Sequence, residues 1–455
     1  MRRPPVESRA TSQIFACLPL QLRQESLNNT VPKGATQPVK AENLLDRDAL
    51  QDPRFTRRDF LKAASLLAAP VAYPYAGNDP AARAAPQAYA YAYVGTYTPN
   101  GGGIYLFRMD KASGALTQLH VFDDIRNPSW LAFNPAQTRL YAVSEIDNFQ
   151  GARSGAVVSY AIDGETLQIR RLGAVSSAGT TPAYVSVHPS DRFVFVANYG
   201  GGNVAVFPVG PDGALGEASD VRPSVGPRHR ARAVDDPPGQ FAVSDHDSPH
   251  VHMVAADPSG QFVIANDAGL DLTLVWRFDA QAGRLLPADV PVVAAPSGAA
   301  PRHFAFHPNG RVFYNLYEHD AKIAVYDYDA AKGGFKPRQL VSALPPKFSG
   351  SNLSAEILVS ADGRFVYVSN RLHNTIAIFA VANDGQLRMI SENWVHADYP
   401  RCLTIDPGGE FLYSCNQKGD SITSFRINPA AGGLQFTGRF EPVGSPAVMI
   451  MLKHS

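Results

Sequence analysis

The stretch SPHVH sets His250 and His252 on either side of a single valine. Residues two apart on a strand point to one face, so the pair suits half of a metal site or a base with a companion. Downstream come Arg302 and His303, then Glu318, Glu356 and Arg371. A guanidinium stays charged at any working pH and stabilises an oxyanion, while a carboxylate or neutral imidazole takes a proton from water. These residue types suit general acid–base chemistry beside fixed cations. A metal would need ligands beyond the two histidines, and only His303 is placed as a third, so neither metal nor cofactor is expected.

A repeat must position these groups. From residue 89 onward one unit recurs: a Pro or small residue, an alternating apolar strand, a turn with Pro or Gly, and further strands. It reads NPSWLAFNPAQTRLYAVSE from Asn127, TPAYVSVHPSDRFVFVANYG from Thr181 and SPHVHMVAADPSGQFVIAND from Ser248. It continues as APRHFAFHPNGRVFYNLYE from Ala300, LSAEILVSADGRFVYVSNR from Leu353 and YPRCLTIDPGGEFLYSCNQ from Tyr399. Pro135, Pro189, Pro258, Pro308, Ala361 and Pro407 mark the same turn in each unit. One four-stranded sheet per repeat is the signature of an all-β propeller. The first fragment, around Tyr91–Thr98, lacks an inner strand, and the last, Ser445–Leu452, is an inner strand alone. Together they predict a seventh blade that closes the ring by pairing the two ends.

In this register the early positions of the inner strands are Ser129/Trp130, Ala183/Tyr184, His252/Met253, Arg302/His303, Ala355/Glu356 and Arg401/Cys402. Second strands end nearby at Glu145, Asn198, Asp267, Glu318, Asn370/Arg371 and Asn416. Charge in the crowded centre of a propeller is costly unless paired, so this mouth is the expected site. Arg302 and Arg371 could equally be structural partners of Glu318 and Glu356. Asn198, Asn370 and Asn416 recur as turn caps do, although Asn198 and Asp267 also count as substrate-binding candidates at this mouth.

The chain of 455 residues carries 41 basic and 41 acidic residues, a balance that argues against nucleic-acid or membrane-surface partners. Three cysteines, Cys17, Cys402 and Cys415, make no disulfide framework, and the last two read as buried thiols on neighbouring strands. Residues 1–84 read as a disordered leader, with the propeller domain at 85–455. Within the leader, TRRDFLK followed by AASLLAAPVA resembles a twin-arginine export signal, with cleavage expected after Ala82-Arg83-Ala84. This predicts passage through the twin-arginine machinery to the periplasm, and no membrane contact in the mature form.

Several stretches together resemble the seven-bladed lactonase family, which includes propeller-type 6-phosphogluconolactonase and the carboxymuconate cyclases. They are YVGTYT with GIYLFRMD, NPSWLAFNP, ANYGGGNVAVFPV, the H-x-H of SPHVH, APRHFAFHPNG and AEILVSADGRFVYVSNR, covering essentially residues 89–453. The resemblance implies opening or closing of a lactone ring on a small-molecule substrate. By motif and order it places the catalytic set on His252 (or His250), Arg302, Glu318 and Arg371. Arg302 would stabilise the oxyanion, Arg371 would hold the substrate, and Glu318 or His252 would be the base. Glu356 would orient an arginine or serve as base instead, with His250 and His303 at the substrate. A carboxymuconate-type cycloisomerase, a metal-dependent lactonase and a non-catalytic ligand-binding propeller are the other readings. Asp220–Asp247, long and charged before the H-x-H, departs from the family pattern and puts substrate identity in question.

Overall fold

The computed structural model describes residues 89–453, and every regular element among them is a β-strand. The leader and its export motif lie outside the described residues. Seven sheets of four antiparallel strands form the blades, as the repeat predicts. The last strand, Pro446–Met451, is the inner strand of the blade whose other strands are Tyr89–Thr96, Ile104–Asp110 and Leu116–Phe122. The two ends of the domain therefore close the ring, which removes an exposed edge.

Alternation explains the burial. Second strands such as Phe193–Asn198 and Phe411–Asn416 are buried on both faces, because each blade is covered by its neighbours. Outer strands such as Gly334–Ser342 alternate towards solvent. Tyrosines of the second strands pin blade to blade: Tyr314, Tyr367 and Tyr413 donate to the carbonyls of Gly385, Gly432 and Gly114 at 3.0, 3.0 and 2.9 Å. Burying such a ring contributes on the order of 2 kcal/mol. His188 and His307, equivalent in the repeat, each reach a glycine carbonyl of the next blade, Gly260 and Gly363. Cys402 and Cys415 pair across neighbouring strands as buried free thiols.

One boundary differs from the sequence reading. The long charged stretch expected at Asp220–Asp247 begins as regular structure: Asp220–Pro223 is the outer strand of its blade, paired with Asn203–Pro208. Val221 opposite Ala205 continues the ladder, and strand structure stops only at Ser224.

Candidate active site

The inner strands share an irregularity that aims side chains into the channel. Across from the second strand, Val251 pairs with Asp267 but Met253 pairs with Asn266, so His252 is an extra residue. The same bulge leaves Arg302 extra between Pro301 and His303, and Arg401 extra between Pro400 and Cys402. A β-bulge leaves one residue unpaired and redirects its side chain. In two other blades the bulge residue is alanine, Ala183 and Ala447. The chemistry is thus concentrated on one side of a nearly symmetric ring.

A residue that precedes a proline at the entry to the inner strand is left-handed in several blades without being glycine, with φ of 46° at Asn127, 44° at Thr181, 58° at Ala300 and 44° at Ser445. Each such conformation costs about 1 kcal/mol or more. Its carbonyl accepts the N–H of the residue that follows the second strand, at 3.0 Å for Glu145, Tyr199 and Tyr97 and 2.7 Å for Glu318. Glu318 is therefore anchored at a position that other blades fill with Tyr97, Glu145 and Tyr199.

Glu318 gathers both candidate arginines. Its Oε2 lies 3.0 Å from Arg302 Nε and 3.0 Å from Arg371 Nη2. The Arg302 contact is ionic, because the Nε–H has no aligned acceptor. Arg302 Nη1 donates to the Ala355 carbonyl, and Nη2 has no partner among the described residues. Arg371 Nε and Nη2 donate to the carbonyls of Leu353 and Ser354, and its guanidinium lies over the Tyr399 ring. Burial alone would raise the Glu318 carboxyl, but Arg371 and Arg302 outweigh it and hold the group below its ordinary value. Burial and the neighbouring guanidiniums pull Arg302 down to about 10, which leaves it charged at neutral pH. Arg401 extends the cluster: its Nη2 donates to Tyr97 Oη at 2.8 Å, and Tyr97 Oη donates to Glu145 Oε2 at 2.6 Å.

His252 faces these cations from the adjacent blade. Its Nδ1 is buried, and neither ring nitrogen has a hydrogen-bond partner among the described residues. Burial, then Arg302, His303, Arg401 and Arg371, hold its pKa well below the ordinary value. The imidazole is therefore neutral at pH 7 and can accept a proton. His303 lies beside it, ring centroids 5.0 Å apart, with Nδ1 3.0 Å from Glu356 Oε1. Glu356 thus holds a histidine and not an arginine. Trp130 and Tyr184 stack at 4.4 Å, and both meet the His303 ring edge to face. Below this layer a cavity of about 1050 Å³ opens along the channel, lined by Trp130, Tyr184, Met253, Glu356 and Cys402 among others.

Three substrate-binding candidates take other places. His250 is spent on the rim: its ring stacks on Tyr199, Nδ1 meets the Tyr199 carbonyl and Nε2 meets Asp247 at 2.7 Å. Asn198 donates to the Ser177 carbonyl and to Asn203. Asp267 accepts the N–H groups of His250, Gly269 and Leu270. Asn198 and Asp267 are fully buried, and their bonds cap turns.

The stretch after Ser224 reaches over this mouth. Asp271 accepts from His229 at 3.0 Å and His246 at 3.2 Å, tying both ends of the stretch to one buried carboxylate. Gln240 and Asn352 exchange two bonds. Gly298, at φ 82°, lies so close that a Cβ would sit 2.3 Å from the Arg232 carbonyl oxygen. From this stretch Ser244 donates to Glu318 Oε1 at 3.3 Å, and Asp245 accepts from Tyr199. Sequence reasoning placed Arg401 in register with His252 and Arg302 but gave it no role, and it passed over Tyr97 and Tyr199. The signal for all three is equivalence: each occupies a position that elsewhere carries His252, Arg302 or Glu318. Nothing in the irregular loop announces Ser244. Among the described residues, no group of three or more His, Cys, Asp or Glu is arranged to hold a metal ion.

Comparison with known proteins places this geometry. A family model described as lactonase, 7-bladed β-propeller, matches residues 91–451. The 6-phosphogluconolactonase of Bacillus subtilis (strain 168) is 32% identical over 346 residues, 75% of this chain and 92% of that one. The 6-phosphogluconolactonase of Pectobacterium carotovorum subsp. carotovorum (strain PC1) is 30% identical over 343 residues, covering 75% and 93%. Among solved structures, the periplasmic gluconolactonase PpgL of Pseudomonas aeruginosa superposes with a TM-score of 0.72 at 32% identity, covering 80% of this chain and 99% of that one.

Proposed function

Because the chain belongs to the seven-bladed β-propeller lactonase family, we propose that it hydrolyses a sugar lactone at this mouth, with His252 as general base. The observation that carries the reading is a buried, neutral imidazole beside buried guanidiniums held by one carboxylate. Water attacks the ring carbonyl, forming a C–O bond as its proton passes to His252 Nε2. The charge that develops on the carbonyl oxygen meets Arg302 Nη2, in a site where a fixed cation is worth more than in water. Collapse breaks the ring C–O bond, and the imidazolium returns its proton to the leaving alkoxide. Glu318, whose carboxylate is held between Arg302 and Arg371, serves to fix both cations. Arg371 and Arg401 remain for the substrate's hydroxyls or anionic group.

Relatives are named for the phosphorylated lactone, and a structural neighbour for a periplasmic gluconolactonase. The TRRDFLK motif supports export by the twin-arginine route to the periplasm, where an unphosphorylated aldonolactone is the fitting substrate. A carboxymuconate-type cycloisomerase is the second reading, favoured by Arg302, Arg371 and Arg401 around one mouth, which suit a polycarboxylate.

A panel of phosphorylated and unphosphorylated aldonolactones, assayed by acid release with and without EDTA, tests the proposal. Chelator-resistant turnover of an aldonolactone is expected. Activity abolished by EDTA and restored by a divalent ion would contradict the metal-independent mechanism. Turnover confined to a muconolactone would favour the cycloisomerase, and turnover of neither would leave a ligand-binding propeller.

A further inference from the structure

We propose that His303 and Glu356 form a proton exit that carries the proton released by lactone hydrolysis from His252 through the aromatic layer into the channel cavity on the far side. The proposal rests on the lactonase reading and goes beyond it, because it gives the two ends of the channel different tasks.

The balance requires such an exit. Opening a lactone with water gives a hydroxy acid, and at neutral pH the new carboxyl ionises, so each turnover leaves one proton in the site. His252 is the acceptor within reach. It cannot keep the charge, because Arg302, His303, Arg401 and Arg371 lie around it and the Tyr199 ring packs on it. During turnover substrate or product fills the front of the site, where Ser244 already reaches Glu318.

The geometry supplies a way out at the back. His252 Nδ1 and His303 Nε2 are both buried without a hydrogen-bond partner, on rings whose centroids are 5.0 Å apart. The two nitrogens do not bond each other, so the link between them is one bridging water. The opposite nitrogen of His303, Nδ1, is 3.0 Å from Glu356 Oε1. Glu356 Oε2 is buried without a partner, and Glu356 lines the cavity of about 1050 Å³ on the far side of Trp130 and Tyr184. His303 is wedged edge-on against those two rings and is the polar group that joins the layers. Two unpartnered buried polar nitrogens and an unpartnered carboxylate oxygen in sequence are unusual, since buried polar groups are generally satisfied.

The transfer conserves bonds and charge. The product carboxyl gives its proton to His252 Nε2 as Nδ1–H passes to His303 Nε2. His303 then releases Nδ1–H to Glu356, Glu356 loses it to the channel, and proton exchange with water returns both imidazoles from the Nε2–H to the Nδ1–H tautomer before the next turnover. The groups facing Glu356 are His303, Cys402, Arg302 and Tyr184. Burial raises the Glu356 carboxyl above its ordinary value despite His303, which suits a group that must hold a proton briefly. His303 is pulled down to about 4, foremost by burial, so it conducts without storing charge.

Glu356→Gln and His303→Gln test the exit on the best lactone of the panel. Each should lower kcat about 10- to 100-fold with KM little changed, since both groups act behind the substrate. Raising the concentration of imidazole buffer should restore kcat in the variants and leave the unmodified protein unaffected, because a diffusible base can replace a lost exit. Glu356→Asp should retain much of the rate. Unchanged kcat in both variants, or a loss that ignores buffer and raises KM, would overturn the exit while leaving the lactonase reading intact. No turnover by the unmodified protein on any lactone would overturn the lactonase reading itself, and the exit with it.

Discussion

Replacing Glu318 with glutamine is expected to damage both the fold and the activity. Arg302, about 1% exposed, and Arg371, about 4% exposed, would lose their shared carboxylate and confront each other as buried cations. Removing one partner of a buried ion pair costs about 3–5 kcal/mol, enough to lower Tm clearly in a melting experiment. With the guanidiniums displaced, kcat/KM should fall on the order of a hundredfold or more, the scale of a lost oxyanion donor. The same carboxylate gives a pH signature. Its folded pKa lies below the ordinary glutamate value of 4.5, so its contribution is full above that value. It is lost as pH falls through the folded pKa. The unmodified protein should therefore lose stability in acid more steeply than Glu318→Gln, which has no such group to protonate.

Arg302→Ala separates chemistry from folding. Glu318 keeps Arg371 as its partner in this variant, so the carboxylate is not stranded. The expected result is a drop in kcat of about 10²–10³, the cost of one oxyanion donor, with a smaller change in KM. Arg302→Lys should not restore the rate, because an ammonium cannot span Glu318, the Ala355 carbonyl and the substrate at once. Arg371→Ala should show the converse pattern, chiefly a raised KM. Equal losses in KM for both arginines would mean that they share one binding role.

The architecture was readable because each blade repeats the same physical demands: an apolar inner strand, a turn marked by Pro135 or its equivalents, and a doubly covered second strand. The missing inner strand at Tyr91 and the lone strand at Ser445 could be joined for the same reason, and the structure pairs them. Register also placed His252 and Arg302 at equivalent positions, and both prove to be bulge residues. What register could not show is which partners meet in three dimensions, within a blade or between blades. Arg302 and Arg371 converge on Glu318, and Glu356 takes His303, through contacts between residues 16 to 53 positions apart. Polar residues at strand ends were ambiguous by nature, because a side chain such as Asn198 or Asp267 can serve its own turn as readily as a ligand. The stretch beyond Ser224 lacks periodicity, so its hold on Asp271 and the reach of Ser244 to Glu318 appear only in three dimensions.

The central claim is that a neutral His252 beside Arg302 performs the proton transfer of lactone opening. The most direct measurement is kcat/KM for acid release by the unmodified protein and by His252→Ala, across pH 5 to 8 on the same lactone. His252 titrates well below 6.5, so its base form persists as the solution is acidified. The unmodified protein should hold its rate from pH 8 to below 6.5, and His252→Ala should be on the order of a hundredfold slower or worse throughout. A variant that retains the full rate, or an unmodified enzyme that loses its activity already above pH 6.5, would contradict the account.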